Sequence, residues 1–126
     1  MKKVRIGLVG AGFVARIHMN AYRRVYGVEA CVSAVCARSA TTKDFAAGFG
    51  IPTVYSDYHD LMRDPDIDVV DICTPPQLHA PMIAEFLNAG KHVICEKPFT
   101  GYFGMSDDPK PIGSVSRRKM YDSVLA

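Results

Sequence analysis

Apolar positions in this chain gather in short unbroken runs, separated by stretches with helical spacing. Val4, Ile6, Leu8 and Val9 make the first run, long enough for one buried strand. A helix is expected from about Gly12 to Val25, with Ala15, Ile17, His18, Ala21, Tyr22 and Val25 inward and Gly27 as its stop. Ala30 to Cys36 reads as a second strand without alternation, as expected where helices cover both faces of a sheet. Ser39 is placed to cap a second helix, Thr41 to Phe49, which Gly50 ends. Ile51 to Tyr55 gives a short third strand, and Ser56 caps a short helix through Met62 before the Asp64-Pro65 turn. Val69 to Cys73 is a fourth strand, broken by Thr74-Pro75-Pro76. Leu78 to Ala89 is a clear helix, with Leu78, Met82, Ile83, Phe86 and Leu87 on one face and Gly90 at its end. His92 to Cys95 is a fifth strand. From Phe99 to Ser116 the period disappears among Gly, Pro, Ser and Asp, which reads as a loop, and Arg118 to Ala126 begins a helix.

Strand and helix alternate throughout, which implies an α/β fold with parallel strands joined by right-handed crossovers. No repeat occurs at solenoid periods. The chain has 126 residues, 48% hydrophobic and 22% charged, enough for one domain with a core. A net charge of +2 does not suggest a nucleic-acid partner. The basic run Arg117-Arg118-Lys119 reads as a solvated turn before a helix. No apolar run approaches the roughly 20 residues of a membrane span, and the basic start leads into strand and glycines rather than a signal peptide. Cys31, Cys36, Cys73 and Cys95 form no C-x-x-C pair and lie in strand-like surroundings. They read as reduced, buried thiols of a cytoplasmic protein, with neither disulfide nor metal.

The candidate chemistry starts where the first strand ends. Gly10, Gly12 and Ala15 stand in G-x-G-x-x-A spacing, strand before and helix after. Gly10 lets the chain turn, Gly12 leaves the backbone open to a pyrophosphate, and Ala15 lets the helix pack close. Phe13 and Val14 open the helix, whose first N–H groups face the phosphates. A purely structural tight turn is the alternative. His18 either faces a cofactor or, the preferred reading, is a packed, hydrogen-bonded helix residue.

The stretch CTPPQLHAPMIAEFLNAGKHVICEKP, Cys73 to Pro98, together with GAGFVARIH at Gly10 to His18, closely resembles the Gfo/Idh/MocA oxidoreductases. The likeness covers about Lys2 to Phe99. It implies a Rossmann-type doubly wound parallel sheet and oxidation or reduction of sugars, cyclitols and related polyols with NAD or NADP. By this resemblance Lys97 of Glu96-Lys97-Pro98 sits where nicotinamide and substrate meet, as the catalytic lysine. An ammonium there can donate to a substrate hydroxyl or relay its proton. Glu96 either positions Lys97 or contacts the cofactor, and the Lys97–Pro98 bond is expected to be cis. Thr74, Pro75 and His79 match the loop that skirts the cofactor, although His79 can equally be an ordinary residue at the start of a helix.

Two departures follow. The acidic residue that binds the ribose hydroxyls in many members is replaced by Ala37. Arg38 follows, able to stack on adenine or fork onto a phosphate, and Ser39 adds a hydroxyl. NADP is therefore expected over NAD. The family's second domain is absent from this stretch, and the first is expected to stop after its fifth strand. Residues 1–98 are expected to form the NAD(P)-binding unit, and residues 99–126 a loop and helix start leading away from it. A free edge on the fifth strand then predicts self-association or poor solubility unless Phe99 to Ser116 covers it. The expected partner is a small sugar or polyol, with a homo-oligomer possible. The readings that compete with an oxidoreductase domain are a non-catalytic dinucleotide-binding or redox-sensing module, and an inactive fragment.

Overall fold

The computed structural model describes residues 1–101 and 116–125. Five strands form one sheet: β1 (Lys2–Val9), β2 (Val28–Cys36), β3 (Thr53–Tyr55), β4 (Val69–Ile72) and β5 (His92–Cys95). Their order is β3-β2-β1-β4-β5, and every pairing is parallel. This is the Rossmann-type order, with the chain reversing direction across the sheet between β1 and β4. Among the described residues β5 pairs only with β4. Most of the expected loop from Phe99 to Ser116 lies outside the described residues. A further helix, α5 (Arg117–Leu125), follows it.

Helices α1 (Phe13–Tyr22) and α2 (Thr42–Phe49) cover one face of the sheet. Their core joins Ala15 and Met19 of α1, Phe45 and Ala46 of α2, Leu8, Val35 and Ile51. The other face carries α3 (Tyr58–Arg63) and α4 (His79–Asn88). There Leu61, Met82, Ile83 and Phe86 pack on Val9, Ala34, Cys36, Val70 and Ile72. Leu8 and Val9 thus feed opposite cores, which explains the unbroken apolar runs of the strands. No helix among the described residues is long and apolar enough to cross a membrane.

Several local expectations are corrected. The buried residues of α1 are Ala15 and Met19, with His18 and Tyr22 half-buried, whereas Ile17, Ala21 and Val25 are exposed. Ala15 and Met19 are four residues apart and share one face of the helix, which leaves Ile17, two residues from each, on the opposite side. The helix also ends at Tyr22, with Arg23 as its cap, and Gly27 instead serves the turn into β2 at φ +85°. Helix α2 is capped at Thr41, not Ser39. Ser39 lies two residues upstream, where its Oγ accepts from the Thr41 N–H at 3.2 Å. Asp57, not Ser56, caps α3, its carboxylate accepting from the His59 N–H at 2.9 Å. On α4, Leu78 and Leu87 are exposed. Pro76–Leu78 forms a separate 3-10 turn before the helix, which shifts the first residue of that stripe off the helix.

The amino end of β4, opposite the site, is tied to β1 by ions. Arg5 reaches Asp68 with Nε at 3.0 Å and Nη2 at 2.9 Å, and Asp66 with Nη1 at 2.6 Å. The guanidinium and the Arg5 N–H hold the Asp68 carboxyl below its ordinary 3.8. A carboxyl with a depressed folded pKa stabilises above its unfolded value and loses that contribution as pH falls. Acid denaturation of Asp68→Asn is therefore expected to show a shallower loss of stability below about pH 3.8 than the native chain. Superimposable acid limbs in circular dichroism would refute this role for the pair.

Candidate cofactor site at the carboxyl ends of the strands

The carboxyl ends of β1, β2, β4 and β5 bring the sequence candidates to one rim. At the end of β1, Gly10 takes φ +106° and its N–H donates to the Cys36 carbonyl at 2.8 Å. A Cβ at Gly10 would stand 2.7 Å from the Cys73 carbonyl oxygen, so strand ends β1 and β4 approach too closely for any side chain. Gly12 caps α1 in extended conformation with no side-chain cap, leaving first-turn N–H groups without a capping acceptor. A Cβ there would meet nothing within 4 Å. The open space thus lies directly over a helix N-terminus, at the switch point of the sheet. Phe13 is 78% exposed and Val14 half-buried. Ala15 is fully buried, as close helix packing requires.

At the end of β2, Ala37 is half-buried, while Arg38 and Ser39 are exposed. At the end of β4, Thr74 is half-buried and Pro75 exposed. His79 is 1% exposed, its Nε2 lying 2.9 Å from the Thr74 carbonyl and its Nδ1 2.8 Å from the Pro98 carbonyl. It clamps the loop after β4 to the turn after β5, and its ring is enclosed rather than presented at the rim. Lys97 is exposed in that turn, and the Lys97–Pro98 bond is cis.

The structure adds a polar cluster that the apolar-run reading of β4 passed over. Asp71 is fully buried on the α1 side of β4. Its Oδ2 accepts from Tyr22 Oη at 2.7 Å and lies 2.7 Å from His18 Nδ1. His18 Nε2 lies 2.8 Å from Glu96 Oε1. Cys73 Sγ stands 3.4 Å from His18 Nδ1 and 3.6 Å from Asp71 Oδ1. Burial works against the His18 charge, but its hydrogen bonds to Asp71 and Glu96 outweigh that and raise its pKa above 6.5. The His18 contact holds the Glu96 carboxyl below its ordinary value. Burial, then the Asp71 contact, pushes Tyr22 upward. Burial and Asp71 likewise push the Cys73 thiol upward, and burial lifts Cys36 and Cys95 to about 11. All four cysteines are free, and these three are held as neutral thiols rather than nucleophiles. The signal for this cluster was present: an Asp inside an otherwise apolar strand must be partnered.

The model of an oxidoreductase family with an NAD-binding Rossmann fold, Gfo/Idh/MocA, matches residues 4–108. An uncharacterised oxidoreductase of Bacillus subtilis, YrbE, is 32% identical over 117 residues, covering 92% of this chain and 33% of that protein. A structure of levoglucosan dehydrogenase in complex with NADH superimposes with a TM-score of 0.73 at 33% identity, over 79% of this chain and 29% of that one. Apo scyllo-inositol dehydrogenase from Lactobacillus casei gives a TM-score of 0.73 at 33% identity, over 81% and 30%. The chain therefore spans about a third or less of the length of these relatives. With the parallel sheet, the glycine turn and the family match over most of its length, the chain belongs to the Gfo/Idh/MocA oxidoreductases.

Proposed function

We propose that this chain is the cofactor-binding part of an NAD(P)-dependent oxidoreductase that acts on a CH–OH group of a sugar, cyclitol or related polyol. The observation that supports it most is the open space over Gly12 at the first turn of α1, on the carboxyl rim of the sheet. That space and the unpartnered N–H groups fit a pyrophosphate. Levoglucosan and scyllo-inositol dehydrogenases among the relatives support the substrate class. Residues 1–98 are the binding unit in this reading, and residues 99–126 lead away from it.

In this assignment Gly10, Gly12, Phe13 and Val14 form the phosphate turn, and Ala37, Arg38 and Ser39 receive the adenosine end. Thr74, Pro75, Glu96 and Lys97 border the nicotinamide end, with His79 holding their two loops together. A bound nicotinamide supplies hydride acceptance or donation. As an ammonium Lys97 donates to the substrate oxygen in the reductive direction; as the neutral amine it takes the hydroxyl proton as carbinol becomes carbonyl. A binding module without catalysis would have no use for this ammonium.

Within the same reading the cofactor is NADP rather than NAD. Ala37 offers no carboxylate to a ribose hydroxyl, and none to repel a 2′-phosphate. Arg38 and Ser39 are exposed beside it. A hydrogen bond to a charged group contributes about 1.5–3 kcal/mol, so Arg38→Ala is expected to weaken NADPH by about tenfold or more while leaving NADH nearly unchanged. Fluorescence titration of both reduced cofactors decides it. Equal losses for both would make Arg38 an adenine platform and remove the NADP assignment.

A further inference from the structure

We propose that His18 is the positioning residue of the Glu96-Lys97-Pro98 turn, its doubly protonated ring tying Glu96 to the buried Asp71 and so fixing where Lys97 is presented. The role in catalysis rests on the reading above, in which Lys97 serves the nicotinamide end.

Asp71 is the fixed point. It is fully buried in β4, and Tyr22 Oη donates to its Oδ2 at 2.7 Å. His18 Nδ1, 2.7 Å from the same oxygen, is oriented by that anchor. The opposite nitrogen then has one direction left, across to Glu96 Oε1 at 2.8 Å. Glu96 is the residue directly before Lys97. Through one imidazole, the first helix is thus connected to the turn that carries the candidate catalytic lysine.

Both partners of the ring are carboxylates, which only accept, whereas a neutral imidazole has a single N–H. Only the imidazolium satisfies both contacts. When the proton leaves, one contact faces lone pair against lone pair. The Asp71 side chain is 0% exposed and that of Glu96 36%. Water can take over at Glu96 but not at Asp71, so the remaining N–H stays with Asp71 and Glu96 is released.

Around His18 stand Asp71 of β4, Cys73 just beyond that strand and Glu96 in the turn after β5, with Tyr22 bonded to the same Asp71 oxygen and Lys97 next to Glu96. Cys73 and Tyr22 are both pushed upward and stay neutral near pH 7, and Glu96 is held ionised. The His18 pKa is raised above 6.5. A raised base keeps its contribution below the unfolded value and loses it as pH rises through the folded one. The clasp is therefore complete below about pH 6.5 and opens on the alkaline side of it.

Ring-nitrogen NMR on the chain without cofactor tests this first. His18 should carry protons on both nitrogens at pH 6, and the amide signals of Glu96 and Lys97 should shift with the midpoint of the His18 titration. In His18→Gln, and in Glu96→Gln, which leaves the His18–Asp71 pair in place, that shift of the Lys97 amide should vanish. Binding of the reduced cofactor should weaken by about tenfold as pH rises through that midpoint, the lower end of the worth of one charged hydrogen bond, and become flat in both variants. A Lys97 amide that ignores the His18 titration, or a His18 ring with a single proton at pH 6, overturns the proposal. A chain that binds neither cofactor at any pH would overturn the proposed function, while the amide titration would still judge the clasp.

Discussion

Replacing Gly12 with valine is expected to leave the chain folded and to abolish useful cofactor binding. Gly12 sits at φ −88° and ψ −159°, backbone that valine adopts readily. A Cβ there meets no atom within 4 Å. The only structural penalty is a poorer residue at the cap of α1, about 1 kcal/mol or less. In the proposed site the new branched side chain fills the space meant for the pyrophosphate and screens the first N–H groups of the helix. Losing two charge-assisted hydrogen bonds at about 1.5 kcal/mol each amounts to roughly a hundredfold or more in affinity. Thermal melting and calorimetric titration with NADPH and NADH, run on the same preparation, read both halves. A folded Gly12→Val chain with unaltered affinity would place the phosphates elsewhere and remove the glycine turn from the site.

Gly10→Ala is expected to do the reverse, failing in stability before binding is reached. At φ +106° an alanine is strained whatever surrounds it. Its Cβ would also stand 2.7 Å from the Cys73 carbonyl oxygen and 2.9 Å from the Cys73 carbonyl carbon. Both are backbone atoms at the end of β4, and the Cys73 N–H is bonded to the Val9 carbonyl at 2.8 Å. Neither can yield without parting the central pair of strands. Left-handed strain costs about 1–2 kcal/mol and forced overpacking about 1–3 kcal/mol, so a loss near 3 kcal/mol is expected. For a domain of this size that lowers the melting temperature by roughly 10 °C or more. A melting temperature within about 2 °C of the native chain would show that the β1–β4 rim adapts. Two glycines two residues apart thus separate by mechanism, one needed for folding and the other for the ligand.

The period and order of elements were legible because they depend on local chemistry. Strands buried on both faces are mostly apolar, so Val4 to Val9 and Val69 to Ile72 announce themselves, with Asp71 the buried exception in the second. The glycine turn was legible because its spacing serves one geometry. Boundaries were less so. Ser39 competes with Thr41, and Ser56 with Asp57, each with a good capping side chain, and only the path of the backbone selects Thr41 and Asp57 as the caps. The phase of α1 went astray at Ile17 because hydrophobicity alone does not say which side of a helix meets a crowded sheet. Gly7 is a similar case. It reads as an unremarkable strand residue, yet a Cβ there would lie 2.8 Å from Leu61 Cδ2, so it admits α3 against the sheet.

By itself the sequence determined the α/β alternation, the glycine turn after β1 and the membership carried by the stretch from Cys73 to Pro98, because each is written in contiguous residues. Only the tertiary structure decided that His18, Asp71 and Glu96 form one chain of contacts, since they are 53 and 78 positions apart along it. It also decided that His79 is enclosed as a clamp between Thr74 and Pro98 rather than open at the rim. Parallel pairing brings the ends of β1, β4 and β5 side by side, and the side chains beyond those ends meet only after the crossovers have closed. A buried carboxylate can tell a reader that it needs a partner. Which partner it finds is set by strand order and register, which no local pattern encodes.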